Sequence, residues 1–93
     1  MEKFIYGIID NTANDLVGIL WLINRDEAAI RQFAEIAADD KNQVGRYPKD
    51  HDLWCFGSFN AEAQKITLTG AYIVLTGEKL VETRIEQNLQ LGL

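Results

Sequence analysis

A single stretch of this chain carries the 3.6-residue apolar period of a packed helix, and everything around it is written in strands. Ile30, Phe33, Ala34 and Ala37 recur at i, i+3, i+4 and i+7, one stripe that can be buried on one side only. Arg31, Gln32, Glu35 and Asp39 fall off that stripe and belong in water. Asn24 is a favourable N-cap, and Glu27 three residues later completes an asparagine version of the capping box. Asp26 and Glu27 also place negative charge at the positive end of the helix dipole. The spacing predicts a helix over residues 26–38, fraying at Asp39 and Asp40, where two acids meet the negative end.

The flanking segments read as strands. Residues 3–9 are β-branched and aromatic and stop at the turn signal Asp10-Asn11. Both faces of this run are apolar, with Phe4, Tyr6 and Ile8 on one and Ile5, Gly7 and Ile9 on the other. Residues 17–23 form a second apolar run. Residues 41–50 are a polar loop in which Pro48 pushes Tyr47 towards extended geometry. The third strand covers 52–59, with Leu53, Cys55, Gly57 and Phe59 facing one way and Trp54, Phe56 and Ser58 the other. A five-residue connection, 60–64, leads to a fourth strand over 65–76, where Gly70 suggests a bulge or bend.

The order β-β-α-β-β defines an α+β domain over residues 1–77, one helix packed on a mostly antiparallel four-stranded sheet. Residues 78–93 have no firm period and form a C-terminal extension, as a short helix or a tail. One helix covers one side of such a sheet. The apolar opposite side then calls for a second copy of the chain, so a homodimer is expected.

Composition narrows function by exclusion. The 93 residues are 47% hydrophobic and 25% charged, as in ordinary globular domains. Fourteen acids against nine bases give a net charge of −5, which argues against a polybasic nucleic-acid condenser. One cysteine and one histidine support neither a disulfide framework nor a Cys/His zinc site. No Gly-rich phosphate loop occurs, and no cofactor or metal is expected. Met1-Glu2-Lys3 lacks the basic start of a signal peptide, and the longest apolar run, 16–23, is far short of the ~20 residues of a spanning helix. The expectation is a protein that stays in the cytoplasm.

Candidate chemistry is sparse. His51 lies between Asp50 and Asp52, but adjacent residues of an extended segment point in opposite directions, so no acid–base dyad follows. Cys55, between Trp54 and Phe56, reads as core. The acidic pairs Asp39-Asp40 and Asp10 with Asp15 offer no convergent oxygen set for a hard cation. No nucleophile, base and oxyanion donor can be assembled, and a non-enzymatic role is expected. The one constellation with nucleic-acid character is Lys41, Arg46, Tyr47, Lys49, His51 and Trp54. Single-strand binders combine cations with aromatic platforms in this way. Asp39, Asp40, Asp50 and Asp52 offset much of its charge.

Several pieces taken in order resemble a known family. They are Ala29-Ile30-Arg31-Gln32-Phe33, Asp39-Asp40, Arg46-Tyr47-Pro48-Lys49-Asp50-His51-Asp52-Leu53-Trp54, Gly57-Ser58-Phe59-Asn60 and Ile66-Thr67. This pattern is similar to the small nonstructural proteins of Microviridae, the single-stranded DNA phages, mainly of the gokushovirus branch. The likeness spans about residues 3–76. Asp50-His51-Asp52 departs from the family's usual Asp-Tyr, and a glycine near Ala63-Gln64 is missing. The resemblance implies a protein made in the infected host cell, left out of the virion, and associated with DNA binding or replication. It implies a part in the switch from duplex replication to single-strand synthesis, with single-stranded DNA or replication proteins of phage or host as partners. The alternative is an adaptor or inhibitor of a host factor, acting through a strand edge or an acidic face.

Overall fold

A computed structural model describes residues 2–90, with side chains described to residue 85. The elements run β1 (Glu2–Asp10), β2 (Asp15–Ile23), α1 (Asp26–Ala37), α2 (Gln43–Arg46), a 3-10 turn (Pro48–Asp50), β3 (His51–Asn60), β4 (Lys65–Thr67), β5 (Tyr72–Thr76) and α3 (Gly77–Gln90). The class is α+β. The strands form one antiparallel sheet in the order β2-β1-β3-β4, and β5 also pairs with β3.

Burial follows strand alternation on the helix side. Tyr6, Ile8, Leu53 and Cys55 from the sheet meet Ala29, Phe33 and Ala37 from α1, with Val44 and Leu80 closing the ends. One cross-strand row, Trp21–Tyr6–Cys55–Tyr72, runs across the sheet beneath the helix layer. The Tyr6 hydroxyl donates to the Asp26 carboxylate in the first turn of α1, pinning helix to sheet. Burial first, and this bond second, hold the Tyr6 hydroxyl well above the ordinary tyrosine range. α3 lies beside α1 on the same face. Leu80 enters the core, and the Arg84 guanidinium donates to the carbonyls of Ala34 at 2.8 Å and Ala37 at 3.4 Å.

Three expectations need correction. The chain stays extended through Arg25 (φ −162°, ψ 156°), which is the N-cap and makes no side-chain cap bond. Asn24 therefore does not cap the helix, and Tyr6 rather than a capping box anchors its first turn. Second, the alternation expected for β3 breaks at Phe56. Tyr6 pairs with Cys55 and Ile5 with Gly57, leaving Phe56 as the extra residue of a bulge. Ser58 consequently turns to the helix side opposite Phe4, while Trp54, Phe56 and Phe59 share the other face. Third, the expected fourth strand is two. β4 and β5 pair with opposite ends of β3, and the chain between them turns at Gly70 (φ +84°).

Residues 77–90 of the C-terminal stretch are helical, and residues 91–93 lie outside the described residues. No helix among the described residues is long and apolar enough to cross a membrane.

Candidate functional site

The loop between α1 and β3 carries most of the sequence-predicted contact residues, and its fixity comes from the residues that follow it. Asn42 starts α2. Its side-chain oxygen accepts from the Gly45 N–H at 3.0 Å, and its amide donates to the carbonyls of Ile36 and Asp39, each at 3.0 Å. One side chain thus caps α2 and closes the C-terminal end of α1. The 3-10 turn follows directly, with Pro48 in its first position and the Asp50 N–H bonded to the Tyr47 carbonyl at 3.0 Å.

His51 and Asp52 point inward and hold this loop from behind. His51 is 2% exposed. A carbonyl can only accept, so His51 Nδ1 donates to the Tyr47 carbonyl at 2.8 Å, leaving Nε2 to accept from Gln43 Nε2 at 3.1 Å. The same Gln43 amide reaches Asp10 Oδ2 at 3.2 Å. Asp10 spends its other oxygen on the β1–β2 turn, accepting from the Thr12 hydroxyl and from the N–H groups of Thr12 and Ala13. The Thr12 hydroxyl, followed by its N–H, holds the Asp10 carboxyl below the ordinary range.

Asp52 joins two further elements, accepting from Asn11 Nδ2 at 2.9 Å and from the Gly77 N–H at 3.1 Å. Gly77 opens α3, and the Thr76 hydroxyl accepts from the Lys79 N–H as an N-cap does. The backbone comes so close here that a Cβ on Gly77 would sit 1.7 Å from the Pro48 carbonyl oxygen and 2.3 Å from that of His51. The β1–β2 turn, α2, the start of β3 and the start of α3 therefore meet in one hydrogen-bonded knot.

What this knot presents outward is the segment Arg46-Tyr47-Pro48-Lys49. Arg46 and Lys49 are exposed, and Tyr47 is 60% exposed. Together with Asp50 and Val81 of α3 they line a shallow depression of about 310 Å³. Lys41 is also exposed, on the preceding turn, where its N–H bonds to the Asp39 carboxylate at 2.9 Å. Two of the six predicted residues are elsewhere. His51 belongs to the buried knot, and Trp54 lies on the helix-free face of the sheet, stacked on Phe56 with ring centroids 6.4 Å apart and planes 9° from parallel. The structural partners Gln43, Asn11 and Gly77 were not singled out from the sequence, because their roles depend on contacts between distant segments.

A model of the Phage ORF5 protein family matches residues 3–80, from β1 through the first turn of α3. The chain belongs to that family. The matched stretch contains the whole knot and the exposed loop. No curated relative and no solved structure matches the chain. This phage protein brings Arg46, Tyr47 and Lys49 together on one rigidly backed loop. Two cations beside an exposed aromatic ring can neutralise phosphates and stack a base.

Proposed function

We propose that this phage protein is a non-enzymatic accessory factor of viral DNA replication, of the Microviridae and within them the gokushovirus type. It acts in the host cell cytoplasm by holding single-stranded DNA, or DNA in the hands of the replication machinery, against the Arg46-Tyr47-Pro48-Lys49 loop. The acting species in this reading is a homodimer. The observation that carries the nucleic-acid assignment is the pairing of exposed cations with a 60% exposed tyrosine on a loop fixed by buried side chains. Base–aromatic stacking contributes ~1–3 kcal/mol per base, and a preset loop avoids the ordering cost that a flexible one would incur. Asp39, Asp40 and Asp50 are exposed nearby, so the contact is a narrow one of a few nucleotides rather than a long basic track.

Fluorescence anisotropy with a labelled oligonucleotide tests this. Binding should weaken steeply with salt, and the double variant Arg46→Ala/Lys49→Ala should lower the slope of log K against log [salt] by about 1.4, since each single-strand phosphate contact contributes about 0.7. Tyr47→Ala should weaken binding at every salt concentration with little change of slope. Absence of binding by the unaltered protein at low salt would refute the nucleic-acid reading.

A further inference from the structure

We infer that the helix-free face of the sheet is the surface through which two copies of this chain pair. This assignment deepens the dimeric reading and is independent of the nucleic-acid one. Register places Ile5, Gly7 and Ile9 of β1, Leu16 and Leu22 of β2, Trp54 of β3, Ile66 of β4 and Ile73 of β5 on this side. Leu16, Leu20 and Phe56 close over Gly7. Leu20, Leu22, Ile66 and Ile73 nevertheless remain between 44% and 62% exposed. Charged side chains at the paired positions of this face are Lys3 and Asp52, near its opposite ends, and Asp52 is already buried in the knot.

Size and charge select the occupant. Three strands of nine or ten residues and a fourth lane shared by β4 and β5, ~4.8 Å apart at ~3.3 Å per residue, project roughly 570 Å², and side-chain relief raises the accessible area further. That approaches the ~800 Å² per partner of a standard interface and matches the largest apolar patches that monomers leave exposed. A two-fold interface must also be complementary to itself. A chain of net charge −5 repels its own copy least through a surface poor in charge, and this face, where Lys3 is the exposed charge at a paired position, is such a surface. The same net charge opposes docking on an anionic membrane. Sheets packed face to face at about 10 Å form an ordinary two-layer core.

Sedimentation equilibrium on the full chain decides the matter. The unaltered protein should sediment at twice its 10.5 kDa chain mass at micromolar concentration. Leu20→Glu with Ile73→Glu should return it to monomer with an unchanged far-ultraviolet circular dichroism spectrum, because both positions are about half exposed already. If that pair unfolds the chain, Ile66→Lys, at a 62% exposed site, serves in its place. A monomeric unaltered protein would overturn the dimer itself. A dimer that survives folded face variants would overturn this interface while leaving dimerisation standing. A monomer that floats with neutral phosphatidylcholine vesicles would assign the face to lipid instead.

Discussion

Replacing Gly77 with alanine tests whether the knot behind the exposed loop is as tight as its distances indicate. The added Cβ would lie 1.7 Å from the Pro48 carbonyl oxygen and 2.3 Å from the His51 carbonyl oxygen. Both obstacles are backbone, so neither can swing aside as a side-chain tip would. Relief requires α3 to back away by more than an ångström, which also breaks the 3.1 Å bond from the Gly77 N–H to Asp52. Overpacking of this kind costs ~1–3 kcal/mol, and a lost bond to a buried carboxylate a further ~1.5–3 kcal/mol. Gly77→Ala should therefore destabilise the fold by about 3–5 kcal/mol, out of a total of roughly 5–14 kcal/mol for a domain this size. Gly70→Ala is the matched control. It meets no atom within 4 Å and carries only the strain of φ +84°, about 1 kcal/mol after the entropy removed from the unfolded chain. Urea unfolding followed by tryptophan fluorescence reads both. If Gly77→Ala costs no more than Gly70→Ala, the close approach at the start of α3 does not exist, and the exposed loop loses its backing.

Two further outcomes are expected. Arg84→Ala should cost about 1–2 kcal/mol in urea unfolding, because α1 has no basic residue in its last turn and takes its C-terminal cation from α3; Arg84→Lys should restore only part of this, since one ammonium cannot reproduce the guanidinium fork. Tyr6→Phe should change the alkaline limb of the stability profile: the folded hydroxyl stays protonated above its ordinary range, so below pH ~10 the profile is flat in this group, and above it the unfolded tyrosine ionises first, removing up to ~1.4 kcal/mol per pH unit. The variant should lack that component in urea titrations between pH 9 and 11, and an unchanged slope would contradict the buried Tyr6–Asp26 contact.

The elements legible in the sequence were those whose signal is local. α1 shows its stripe because Ile30, Phe33, Ala34 and Ala37 are periodic by themselves, and Phe33 and Ala37 are fully buried as that stripe requires. β1 shows two apolar faces for the same reason. The Phe56 bulge could not be read, because it exists only in the offset between β3 and β1. The Asn24 cap failed through tertiary override, since the Tyr6 hydroxyl claims the first turn of α1 from across the sheet. At the β3–β4 turn the chain takes φ +51° at Gln64, beside the place where the family resemblance calls for glycine; the left-handed turn is kept without the residue that makes it easy. In the candidate site, composition alone picked out Arg46, Tyr47 and Lys49, which the fold does gather. It also picked out His51 and Trp54, because residue type alone does not show that His51 is committed to a buried network or that Trp54 packs on Phe56 across the sheet's other face.

That last distinction explains how an acidic chain can still carry a defined site. His51 and Asp52 are polar side chains buried in the knot, and the exposed Gln43 and Asn11 bond to them from its rim. Such a network is costly unless satisfied, and when satisfied it fixes one arrangement of the segments it joins. The segments here are the β1–β2 turn, α2, the start of β3 and the start of α3, and the residues left outside are Arg46, Tyr47 and Lys49. The family match ends at Leu80, the last buried side chain of the described residues. The matched segment is thus sufficient to complete both core and knot, while Arg84, beyond it, ties the following turns of α3 to α1. A function exercised by this loop would therefore depend on the first turn of α3 through Gly77, even though that turn contributes none of its three outward-facing contact residues.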